Sequence, residues 1–153
     1  MVRLMAVFLL TRTTRLGPDA CWARLTDWPR HGAGVPFTTV SASGGTGRSV
    51  GDVVLARTAA GPLGFDDPME IVAFTPPRAG RDGLCRLEKR GRVVHGWAEL
   101  RVVVRADDEE SCDAVWVEDI RIRGLPAAFD PITARIARLV FGRALDRVLS
   151  TRH

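Results

Sequence analysis

The two side chains best placed to do chemistry are the carboxylate of Glu118 and the imidazole of His31. Between Asp113 and Arg123, Arg121 and Arg123 alternate with Ile120 and Ile122, so the even positions of that strand face inward. Ala114, Trp116 and Glu118 fall on the same inward face. A buried carboxylate must be paired, hydrogen-bonded or protonated, and desolvation raises its pKa. So placed, Glu118 can act as a general acid or base, or fix a polar group of a bound molecule. The alternatives are an ion pair with an arginine, or a bulge that turns the side chain outward. His31 lies in a break after a first helix, close to Trp28. A histidine there can hydrogen-bond a carbonyl or shuttle a proton, or simply be exposed.

Other chemistries find little purchase. No Ser-His-Asp set is readable, tyrosine is absent, and Cys21, Cys85 and Cys112 are odd in number, far apart and outside any zinc spacing. They read as reduced packing residues. His31, His95 and His153 are scattered without carboxylates at ligand spacing, so neither a metal nor a cofactor is expected. The loop from Gly44 to Gly51 has glycines but no GK[ST] and no following helix, which argues against a phosphate cradle and leaves a flexible connection or a lid. An enzyme would have to run on Glu118, His31 and an arginine.

The elements that must position these residues read as strand, two short helices, six strands and a long helix. Val2 to Thr11 suits a strand; its apolar run is at the short limit for a signal segment and lacks a cleavage site. Pro18 opens a helix carrying Cys21, Trp22 and Leu25, and a further turn lies around Trp28 to Gly34. Extended runs follow at Phe37 to Ala42, Asp52 to Ala59, Pro68 to Thr75, Leu84 to Arg90, Gly96 to Arg105 and Asp113 to Arg123. Gly61 to Gly64 and the acidic run Asp107 to Glu110 read as turn and loop, and the turn near Gly91 to His95 has no fixed place. The last helix spans Asp130 to Thr151, with Asp130 as N-cap and Pro131 in the first turn. It carries two apolar stripes, Ile132, Ile136, Leu139 and Val140 on one side, and Ala137, Phe141, Ala144, Leu145 and Val148 on another. One must meet a sheet, and the other a second apolar surface, a cavity or a partner such as a second copy. The class is therefore α+β, an antiparallel sheet of about seven strands layered against a terminal helix.

At 153 residues and +4 formal charge the chain reads as one domain, residues 1–153. Lys89 is the only lysine, and the arginines are dispersed among acids, so nucleic-acid binding is not expected. No run approaches the ~20 apolar residues of a spanning helix, so membrane insertion is not expected and a cytoplasmic location is.

The element order, with Leu25-Thr26-Asp27-Trp28, Val50-Gly51-Asp52, Asp66-Asp67-Pro68-Met69-Glu70 and Val115-Trp116-Val117-Glu118, resembles the SRPBCC or START-like superfamily over essentially the whole chain. Within it, the chain is similar to small bacterial proteins of the polyketide cyclase/dehydrase and lipid-transport type. The resemblance implies a helix-grip fold with a pocket between sheet and long helix for an apolar or amphipathic ligand. On that fold, Trp28, His31, Phe37, Leu55, Met69, Ile71, Leu100, Trp116, Glu118, Ile120, Ala137 and Phe141 are expected at the ligand, with His31 near the entrance. Asp66-Asp67-Pro68 reads as a turn or as part of the pocket mouth. Three functions stay open: a carrier or sensor of a lipid- or polyketide-like molecule, a cyclase/aromatase or dehydratase with Glu118 as acid/base, and a dimerising module whose interior is filled.

Overall fold

Alternation of apolar and polar residues produces most of the strands, and Gly61 and Pro76 stand directly after the ends of two of them. The computed structural model describes residues 7–150. The expected strand residues before Val7, the helix end at Thr151 and His153 lie outside the described residues. The strands are β1 (Val7–Thr14), β2 (Thr38–Gly44), β3 (Val53–Ala60), β4 (Leu63–Thr75), β5 (Gly83–Lys89), β6 (Val94–Arg105) and β7 (Asp108–Ile122). The helices are α1 (Pro18–Leu25), α2 (Trp28–Ala33) and α3 (Asp130–Leu149), the last preceded by a 3-10 turn at Ala127–Phe129.

All neighbouring strands are antiparallel, in the order β1-β7-β6-β5-β4-β3-β2. This is the helix-grip arrangement: a meander of six strands, with the first strand closing on the last and α3 packed over β1, β7 and the two short helices. The core is continuous from Phe8 and Leu10 through Leu25, Val54, Ile71, Leu87, Leu100 and Val102 to Leu145 and Val148.

Strand boundaries depart from the sequence reading in two informative places. Asp66, Asp67 and Pro68 are not a turn; β4 begins at Leu63, and they lie within it opposite Arg57, Ala56 and Leu55. The acidic run is mostly strand as well, because a tight turn at Ala106 and Asp107 suffices to start β7 at Asp108. Charges at that strand end are tolerated because Asp108, Glu109 and Glu110 are exposed.

The long helix also begins differently. Asp130 is its first residue, not its cap, since the 3-10 turn already brings Phe129 to φ −88°, ψ −5°. Asp130 instead places a negative charge in the first turn, where the helix dipole favours it. One apolar stripe is buried, through Ala137, Ala144, Leu145 and Val148. The other is open: Ile132, Ile136 and Leu139 are exposed, Leu139 at 61%. The crossing of α2 and α3 is close enough to require glycine, because a Cβ on Gly34 would stand 2.6 Å from Ala144 Cα.

Candidate functional site

The concave face of the sheet, α2 and α3 line a partly open cavity of about 190 Å³. Its walls are apolar through Val40, Met69, Leu87, Ala98, Leu100, Trp116, Ile120 and Phe141. Aromatic rings line one side: Phe141 lies 5.1 Å from Trp116, and His31 stands between Trp116 at 5.3 Å and Trp28 at 5.4 Å.

Charge is confined to one wall. Inward positions alternate along β4 as Phe65, Asp67 and Met69, and along β5 as Cys85, Leu87 and Lys89. On β7 they run through Trp116 and Glu118. Lys89 Nζ donates to Asp67 Oδ2 at 2.6 Å and meets Glu118 Oε1 at 2.9 Å. Its third neighbour is Met69 Sδ at 3.6 Å. Trp116 Nε1 donates to Glu118 Oε2 at 3.0 Å. Lys89 can cross from β5 to β7 because the strand between them offers only Ala98 and Gly96 there. Gly96 sits at φ 124°, and a Cβ on it would collide with the Asp119 carbonyl, so that position of β6 requires glycine.

The wall carries two carboxylates for one ammonium. Burial by itself would lower the Lys89 pKa, but Glu118 and then Asp67 outweigh it and hold the ammonium above its usual range. Burial raises Asp67, with Lys89 pulling against it, so Asp67 is harder to ionise than an ordinary aspartate. Its Oδ1 is buried without a hydrogen-bond partner among the described residues.

His31 is buried, and Nε2 bonds the Leu25 carbonyl at 2.6 Å, which assigns the ring proton to Nε2. Burial holds its pKa below that of free imidazole despite the Leu25 carbonyl and the Asp27 charge, so the ring is neutral. The loop after β2 is tied to this side. Thr46, Gly47 and Arg48 donate their backbone N–H groups to Asp52 Oδ2, at 2.9, 2.9 and 3.3 Å. The Gly47 carbonyl accepts Trp28 Nε1 at 2.8 Å. A free lid is thus replaced by a clamped loop that holds a wall tryptophan.

Of the residues expected at the ligand, Trp28, His31, Met69, Leu100, Trp116, Glu118, Ile120 and Phe141 line the cavity. Four do not. Phe37 is 72% exposed in the turn before β2, at φ 59°. Leu55 is on the opposite face of β3, whose inward positions are Val54, Ala56 and Thr58. Ile71 and Ala137 are buried in the core away from the cavity lining. Glu118 pairs with a lysine, where an arginine was the expected alternative.

Sequence reasoning missed Lys89, and it took Asp67 as part of a turn or of the pocket mouth without its pairing to Lys89. The signal for Lys89 was there: the only lysine stands two and four residues beyond Leu87 and Cys85 on the buried face of a strand. Cys21, Cys85 and Cys112 are buried, and burial pushes the Cys85 thiol up to about 12, so it is no nucleophile. Among the described residues no cluster of three or more His, Cys, Asp or Glu is placed to hold a metal. No described helix is long and apolar enough to cross a membrane.

This architecture is the START-like, or SRPBCC, fold. The Zhui aromatase/cyclase from a Streptomyces strain superposes with a TM-score of 0.63 at 19% identity, over 95% of this chain and 92% of that one. A START superfamily protein from Mycobacterium smegmatis gives 0.66 at 10% identity, over 94% and 96%. The lipid transfer and protein localization domain of human StarD13 gives 0.65 at 6% identity, over 95% and 78%. No protein-family model and no curated protein matches the sequence.

Proposed function

We propose that this protein binds a small apolar or amphipathic molecule in the cavity between sheet and α3, as a carrier or sensor. The observation that carries this reading is the cavity itself: apolar walls, aromatic sides, and charge gathered at one wall only. The lipid transfer named for one structural neighbour and the aromatase/cyclase named for another are consistent with such use of the fold. Carriage is favoured over catalysis by Glu118, because both its oxygens are already engaged, by Lys89 and Trp116. A carboxylate so occupied orients its neighbours better than it moves protons.

Native mass spectrometry of the purified protein, followed by denaturing extraction, tests for a co-purifying ligand. Titration with an apolar fluorescent probe then tests the site, because Ala98→Phe would fill the cavity. Saturable one-to-one binding that Ala98→Phe abolishes supports the reading. Binding that Ala98→Phe leaves unchanged places the ligand elsewhere and defeats it.

A further inference from the structure

The three ionisable groups on the charged wall have unequal bonding capacities. An ammonium has three N–H donors and no acceptor. Lys89 has a neighbour for each of them, in Asp67 Oδ2, Glu118 Oε1 and Met69 Sδ. Glu118 Oε2 takes the Trp116 indole N–H. One acceptor is left over, Asp67 Oδ1, in a residue 8% exposed that lines the cavity beside Phe65. No donor on the wall remains to serve it, and the wall has one more carboxylate than ammonium. An acceptor buried without a partner is costly, and more so when it carries charge.

We infer that the cavity selects, among apolar molecules of its size, those with an O–H or N–H donor at one end, which Asp67 Oδ1 accepts. This deepens the proposed binding function and rests on it. An ether or ketone oxygen would bring a second acceptor to the same point, and a hydrocarbon would leave the oxygen bare. The volume of about 190 Å³ suits a body of one or two rings, since a cavity of roughly 150 Å³ holds benzene.

The test is a titration of the full chain, read by tryptophan fluorescence from Trp28 and Trp116, with three probes of one shape. They are a naphthol, its methyl ether, and the matching methylnaphthalene. The naphthol should bind tightest, by about tenfold or more over both others. In Asp67→Ala that advantage should collapse while methylnaphthalene is held at least as well, because Lys89 and Glu118 remain as a one-to-one pair. Equal affinities, or a preference for the ether, overturn the donor selection and leave the binding function standing. An advantage of the naphthol that survives Asp67→Ala also overturns it. Failure of all three probes to bind overturns both readings. Should Asp67→Ala not fold, Asp67→Asn and the ranking in the unmodified protein decide.

Discussion

The side chain of Lys89 crosses over an intervening strand to bring Nζ within 2.9 Å of Glu118 Oε1, so that β5 and β7 are joined by a buried ion pair across β6. Asp67 adds a second carboxylate at 2.6 Å from β4. Removing the ammonium would leave two buried carboxylates facing each other. Lys89→Met should therefore cost about 3–5 kcal/mol by urea denaturation. Adding Asp67→Asn and Glu118→Gln to it should recover part of that loss; a triple variant no more stable than Lys89→Met would show that charge is not the cause.

His31 gives the protein a dependence on acid. Its folded pKa lies below that of free imidazole, so below about pH 6.5 the unfolded chain takes up a proton that the folded one resists. The stability it contributes is complete above that pH and is lost as pH falls through the folded pKa. Denaturation series between pH 5 and 8 (a range on either side of the free imidazole value) should show stability declining toward the acid end. In His31→Gln that slope should flatten; an unchanged slope would assign it to other groups.

The two apolar stripes of α3 should respond in opposite ways. Leu145 is fully buried, and Leu145→Ala should cost about 2–5 kcal/mol. Leu139 is exposed, and Leu139→Ser should change stability by no more than about 0.5 kcal/mol. The pairing of two copies through this open stripe is a proposal that light scattering on the same variant checks: a dimer that Leu139→Ser turns into a monomer supports it.

The clamped loop should loosen when its acceptor is removed. In Asp52→Ala the amides of Thr46, Gly47 and Arg48 should exchange with deuterium faster, and Trp28, which bonds the Gly47 carbonyl, should emit at longer wavelength. Unchanged exchange would mean that the loop's own backbone geometry suffices.

Gly34 should admit no side chain. Its virtual Cβ meets backbone of α3, which cannot swing aside as a flexible side chain would. Gly34→Ala should cost about 1–3 kcal/mol in denaturation, and a neutral result would mean that the helices can separate at that crossing.

Much of the architecture was legible because it rests on local periodicity. Proline at the start of α1, turn residues between alternating runs, and two apolar stripes on a terminal helix are written in neighbouring residues, and they determine element order and class. The same alternation carried Trp116 and Glu118 to the cavity, since one register sets the face of a whole strand. It misplaced Leu55 because the unbroken apolar run from Val53 to Ala56 shows no period of its own, and Phe37 because it lies in the turn before β2. What only the tertiary structure decided is the polar wall. Asp67, Lys89 and Glu118 stand on three strands, with Lys89 22 residues after Asp67 and Glu118 a further 29 along the chain. Their meeting depends on strand register, on sheet curvature, and on the absence of a side chain at Gly96, none of which local spacing encodes. Which carboxylate oxygen stays bare is settled by matching donors to acceptors in space, and that matching exists only once the sheet has folded.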